Sequence, residues 1–370
     1  MNRGADLGFK SVGRLCAGVL GALLLTGAQA SASPPPVSAP CTAAVAACSE
    51  WVRLGTGGAR SMIYRSYPLG KRNRGVRRAL IMVHGALRNA DHYFTTASGA
   101  AFLAGALGDT IIIAPAFRSA EGECKDALAP DEVSWSCGGD SWKSGGASPR
   151  HPALTSFDFL DEVLGKLADR RVFPNLEIIV LAGHSAGGQF VTRYEMANKV
   201  HEHLGVHLVY VVANPSSYAW PNAARPLPTG DAAPASAATG WKSEIPHTAF
   251  TFGAFDPARA PNYDQWPYGL ENRTGYAARL SDEALRAQLV GRPTTYLLGQ
   301  VDTLPLGGFD DSLPAMAQGP TRRARGEAFV KYLNDRLGAQ AKVVIVPECG
   351  HNDRCIFTSE AALPVIFPAL

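Results

Sequence analysis

The sequence predicts an α/β protein: a mostly parallel central sheet with helices on both faces. Three observations carry that expectation. Short, nearly continuous apolar runs recur at Ala79–Val83, Thr110–Ala114, Glu177–Ala182, Val206–Ala213, Thr295–Leu298 and Lys342–Val346, as in strands buried on both faces. Stretches with helical spacing alternate with them, which implies parallel βαβ units. The chain is 46% hydrophobic and 18% charged over 370 residues. That much apolar surface offsets chain entropy, so disorder as the main state is excluded.

Residues 1–30 read as an address. Arg3, Lys10 and Arg14 precede an apolar run from Leu15 to Leu25, and Ala28-Gln29-Ala30 follows. A basic start, a short apolar segment and a small-residue cleavage site make a secretory signal peptide. The run is well short of the roughly 20 residues a spanning helix needs. Export to the periplasm or the medium is expected, with cleavage near Ala30 and no stable membrane anchor. Cys16 lies inside the apolar run, without the small-residue context of a lipidated cysteine. Of the net charge of +3, Arg3, Lys10, Arg14 and Asp6 supply +2, so no overall field remains to hold nucleic acid.

Residues 31–50 form a Pro/Ala/Ser-rich leader, and the catalytic domain is expected over 51–370. Ser61–Tyr67 alternates like an early strand. Helices are expected at the Ala-rich 91–107, at 155–171, at 186–200 and at 324–337. In the second, Phe157, Leu160, Val163, Leu164 and Leu167 share one side; the last carries Phe329, Tyr332, Leu333 and Leu337. The segment 214–290 has no comparably clear strand and holds nine of the 26 prolines, with Trp220, Trp241 and Trp266. A stretch that long without evident elements reads as an inserted cap. Its aromatics either line an acyl pocket or only pack the cap onto the sheet.

Six cysteines follow the signal, in three close pairs, so the expected disulfides are Cys41–Cys48, Cys124–Cys137 and Cys349–Cys355. Neither Cys-x-x-Cys nor His-Glu-x-x-His occurs, and no metal site is expected.

The chemistry gathers at Gly183-His184-Ser185-Ala186-Gly187, between a predicted strand and a predicted helix. Gly-x-Ser-x-Gly in that context is a nucleophile elbow. Gly183 and Gly187 relieve clashes in a strained turn, and Ser185 stands at a helix N-terminus, whose partial positive charge favours an oxyanion. Asp302 follows the run ending at Leu298, and His351 follows the run ending at Val346. The acid and the base thus arrive at the edge and in the order a serine triad requires. Asp256 is the competing acid. His201, His203 and His207 read as solvated, His247 lies in the irregular segment, and His84 and His184 belong to motif loops. The oxyanion amides are expected from Ala186 and from Ala86, in the loop His84-Gly85-Ala86. Arg322, Arg323 and Arg325 read as a solvated helix start, and Asn272-Arg273-Thr274 matches a glycosylation site by pattern only.

With these motifs the chain resembles the α/β-hydrolase superfamily over roughly residues 60–370. The stretch from His84 to Tyr93 is similar to the His-Gly-Cys-x-Gln-x-Ala-x-x-Tyr pattern of secreted polyhydroxyalkanoate depolymerases and feruloyl esterases. His84, Gly85, Ala90 and Tyr93 match; Ala86 and Arg88 depart. The resemblance implies a cofactor-free serine hydrolase that forms an acyl-enzyme. Its expected partner is an ester substrate, small or polymeric. An amide or peptide hydrolase with the same triad, and a binding protein on the same scaffold, are the competing readings. Serine at the elbow argues against dehalogenase and epoxide-hydrolase chemistry, which use aspartate there.

Overall fold

The computed structural model describes residues 39–138, 141–229 and 250–370. The expected signal peptide, Trp241 and His247 lie outside the described residues. In chain order the elements are β1 (Ser49–Leu54), β2 (Ala59–Arg65), β3 (Arg78–Val83), α1 (Ala90–Leu103), β4 (Thr110–Pro115), α2 (Ser156–Ala168), β5 (Ile178–His184), α3 (Ala186–Ala197), β6 (His207–Ala213), β7 (Ala224–Pro228), β8 (Phe250–Ala254), α4 (Asp282–Gly291), β9 (Thr294–Gly299), α5 (Leu313–Met316), α6 (Arg322–Leu337), β10 (Lys342–Val346), α7 (Asp353–Phe357) and α8 (Leu363–Ile366).

Eight of these strands form one sheet in the order β1-β2-β4-β3-β5-β6-β9-β10. β1, β2 and β4 pair antiparallel in that order along one side, and β4, β3, β5, β6, β9 and β10 run parallel. The α/β expectation therefore holds, with the antiparallel side as its addition. Successive residues of β3 serve opposite faces, as strand geometry dictates. Ala79, Ile81 and Val83 join a core with Phe157, Phe190 and Phe329, while Leu80 and Met82 join another with Phe94 and Phe357. Two cores on one sheet are the physical content of two covered faces.

Local chemistry sets the helix ends. α1 stops at Gly105 (φ 65°), where the Ala106 amide donates to Ala101 O at 2.8 Å and the Gly105 amide to Phe102 O at 3.0 Å. This six-to-one and five-to-two pair closes the orphan carbonyls and ends the helix short of residue 107. α2 starts with a capping box between Thr155 and Asp158. It ends before Arg171 because Asp169 Oδ1 accepts the Arg171 amide at 2.9 Å, a local turn that competes with helix continuation.

The described residues of the segment 214–290 contain more order than the sequence suggests. β7 and β8 form a separate antiparallel pair, and α4 closes the segment. β7 reads Ala-Arg-Pro-Leu-Pro, and a two-stranded ribbon has only edges, where proline's missing donor is tolerated. Trp220 is fully buried against Phe329 and Tyr332, with ring centroids 5.6 and 5.0 Å away. For this tryptophan the packing role holds. β1 begins at Ser49, inside the stretch read as leader, because Cys48 is tied to Cys41 and the Cys41 amide donates to Ser66 O. All three expected cysteine pairs are bonded, with Cα separations of 5.8, 5.7 and 5.7 Å. No helix among the described residues is long and apolar enough to cross a membrane.

Candidate active site

The parallel strands β3, β5, β9 and β10 all end at one edge of the sheet, and each hands a loop to it. Ser185 sits between β5 and α3 with φ 58° and ψ −118°, a conformation a serine adopts only under constraint. The turn is this tight because its neighbours are glycines. A Cβ on Gly183 would lie 2.3 Å from Gly187 O, and one on Gly187 would lie 2.2 Å from Val83 O. Gly188, which sequence reading passed over, has the same role against Ala213 O at 2.7 Å.

The three distant side chains meet. Ser185 Oγ and His351 Nε2 are 2.9 Å apart, and His351 Nδ1 lies 2.9 Å from Asp302 Oδ2. With Asp302 ionised, Nδ1 carries the proton and donates to the carboxylate, so Nε2 is left to accept from the serine. Asp302 is almost completely buried. Asp256 is elsewhere: it is exposed and accepts the Ala258 amide at 2.9 Å. His203 and His207 are exposed, whereas His201 is half-buried and bonds the Tyr210 hydroxyl at 2.8 Å.

The loop after β3 lies against the elbow, since a Cβ on Gly85 would be 3.6 Å from Ser185 Cβ. His84 holds this loop. Its Nε2 accepts the Phe117 amide at 3.1 Å, which leaves the proton on Nδ1, 2.9 Å from Gly85 O. Burial drives its imidazole down to about 4, so the ring stays neutral. Ala86 stands exposed on the rim of this loop, and Ala186 is buried at the first position of α3, where an amide has no acceptor within the helix.

A family model described as the alpha/beta hydrolase family matches residues 80–364. The chain belongs to the alpha/beta hydrolase family. Among solved structures, the poly(3-hydroxybutyrate) depolymerase LpqC from Bordetella parapertussis is 22% identical, with 84% of this chain and 85% of that chain covered and a TM-score of 0.56. The poly(aspartic acid) hydrolase-1 from Sphingomonas sp. KT-1 is also 22% identical, with 86% and 98% covered and a TM-score of 0.54. At that identity the likeness extends to the fold. No curated protein matches the chain.

Several residues that position this alpha/beta hydrolase site were not legible as such. Arg322 and Arg325 are fully buried, which overturns their reading as a solvated helix start. For Arg325 burial is tolerated because backbone acceptors surround it, whereas Arg322 Nη1 has no hydrogen-bond partner and faces Asp302 as an ion pair at 3.6 Å. Arg325 donates to Gly319 O and Asp310 O, both at 2.8 Å, and to Ser216 O. Asn214, just after β6, accepts the Gly299 amide at 2.8 Å and donates to Gly350 O at 3.3 Å, bracing the Asp302 and His351 loops together. Arg88 occupies a motif position where the depolymerase pattern has Gln, and it donates to Phe117 O at 2.6 Å and Cys137 O at 3.0 Å. Tyr93 and His184 Nδ1 are 3.0 Å apart, and the His184 ring lies 4.6 Å from that of His351. Burial, followed by the His351 and Arg322 charges, keeps His184 far below its ordinary range. Of these, Arg88, Tyr93 and His184 stand at motif positions in the sequence, whereas Asn214, Arg322 and Arg325 gave no signal.

Proposed function

We propose that the protein is an exported serine hydrolase that cleaves carboxylic esters through an acyl-enzyme. The observation that carries this reading is the unbroken chain from Ser185 Oγ through His351 to Asp302, at 2.9 Å for each step. Ser185 Oγ attacks the ester carbonyl while His351 Nε2 takes its proton. Asp302 stabilises the imidazolium, and the Ala86 and Ala186 amides receive the oxyanion. The imidazolium then protonates the departing alcohol. Water, deprotonated by His351, releases the acid and restores Ser185.

Exposed Leu87 follows Ala86, and exposed Leu304 and Leu306 follow Asp302. Apolar side chains on these two loops favour an apolar acyl or alkyl group beside the serine. In this reading residues 214–229 and 250–290 belong to the cap. Three disulfides support residence outside a reducing compartment, in line with a signal peptide cleaved near Ala30.

The test uses short-chain nitrophenyl esters, hydroxycinnamate esters and polyester films, each beside a matched amide. Ester hydrolysis and fluorophosphonate labelling are expected in the wild type. Ser185→Ala is expected to abolish labelling and to lower turnover by about 10⁴-fold or more. Equal turnover of the folded Ser185→Ala protein would refute the reading, and faster cleavage of the amides would move it to the amide class.

A further inference from the structure

We infer that Arg322 is a positioning residue for the candidate triad, clamping Asp302 and the loop beside His351 into one unit; the inference rests on the serine chemistry proposed above. The guanidinium is fully buried at the first turn of α6 and reaches three groups on two loops, those that follow β6 and β9. Nη1 lies 3.6 Å from Asp302 Oδ1, the carboxylate oxygen opposite the one that faces His351. Nη2 donates to Gly307 O at 3.0 Å, and Nε donates to Ser216 Oγ at 2.7 Å. Gly307, with φ 54°, abuts the imidazole: a Cβ there would lie 3.1 Å from His351 Cδ2. The Phe309 ring packs on the guanidinium at 5.2 Å. One planar cation therefore fixes the acid, the backbone at the edge of the base, and the segment that follows β6. A lysine could not divide its single ammonium among these directions in the same way.

The clamp also has an electrostatic consequence. Asp302 faces the imidazole with one carboxylate oxygen and the buried guanidinium with the other, so replacing Arg322 by an uncharged residue leaves that carboxylate to the imidazole alone. The remaining titratable or charged groups near the imidazole are His184 at the end of β5, Tyr93 and His92 on α1, and Asp353 at the start of α7. Asp310 and Arg325 stand beyond Arg322 itself. None of these side chains is itself replaced in the Arg322 variants, and the Arg322 charge acts on His184 and Arg325 as well, so a shift in the pH profile reports the removal of that charge.

The experiment measures kcat and KM against pH for wild type, Arg322→Met and Arg322→Lys on an ester that the wild type hydrolyses. Fluorophosphonate titration supplies the active fraction. In Arg322→Met, kcat/KM is expected to fall about tenfold or more, with its acidic limb moved up by about half a pH unit or more. Arg322→Lys keeps the charge and loses the fork, so its limb should stay in place while kcat falls about threefold or more. An unmoved limb in folded Arg322→Met overturns the inference, as does a kcat within threefold of wild type in Arg322→Lys. If Arg322→Met does not fold, the lysine variant decides by the same thresholds. Ser185→Ala separates the two failures: turnover that survives it defeats the serine reading, whereas turnover lost there and indifferent to Arg322 defeats only the clamp.

Discussion

A buried neutral histidine makes stability depend on pH, and His84 is such a group. Its imidazole is driven from 6.5 to about 4 by burial, so the unfolded chain takes up the proton first. The stability it contributes is full above about 6.5 and is lost as pH falls toward 4. A shift of that size corresponds to about 3 kcal/mol, and His184 acts in the same direction. Urea midpoints measured between pH 7 and 4 should fall steeply for the wild type. A His84→Gln variant should start lower and decline less over the same interval. Parallel declines in the two proteins would show that His84 is not the group responsible. Protonation adds a hydrogen at Nε2, so acid should cost the Phe117 amide its acceptor and loosen the hold of His84 on Phe117, while Nδ1 still donates to Gly85 O.

At the scale of elements, the elbow depends on backbone approach. Gly187→Ala would set a methyl 2.2 Å from Val83 O, and neither β3 nor the start of α3 has room to yield. A loss of about 3 kcal/mol or more is expected. Gly165 is the control: it lies exposed in α2 with no atom within 4 Å of its Cβ position. Gly165→Ala should stabilise by about 1 kcal/mol. Chemical unfolding of both variants checks the contrast, and equal effects would refute it. The same physics explains what sequence could reveal. Strands such as β3 and β5, buried on both faces, announce themselves as apolar runs. β1 is an edge strand in which only Val52 and Leu54 are buried, and α4 buries only Leu285 and Leu289, so neither leaves a strong periodic pattern. α5, α7 and α8 span four or five residues, too few for any periodicity to register. Ser185, Asp302 and His351 were legible because strand order fixes where they emerge. Arg322 was not, because a charged side chain reads as solvated until its acceptors, scattered along the chain at Ser216, Asp302 and Gly307, are brought around it.

At the scale of the whole molecule, Ser185, Asp302 and His351 meet at one edge of the sheet, and the three disulfides among the described residues are all local. Cys349–Cys355 brackets His351, and Cys349 O accepts the Val301 amide at 3.0 Å, one residue before Asp302. Replacing both cysteines with alanine should therefore lower kcat as well as removing about 2 kcal/mol of stability. Replacing Cys41 and Cys48, which lie beside the antiparallel side of the sheet, should cost stability while leaving kcat unchanged. Steady-state kinetics beside thermal melts distinguish these outcomes, and an unchanged kcat in the first variant would reduce that bridge to a staple.

The bridged cysteines are 7, 13 and 6 residues apart, and no bridge encloses another cysteine. A chain emerging N-terminus first thus presents each thiol with its own mate before the next pair appears. Oxidation can proceed vectorially, in the order of emergence, and a plain oxidant meets its needs without an enzyme to shuffle mismatched links.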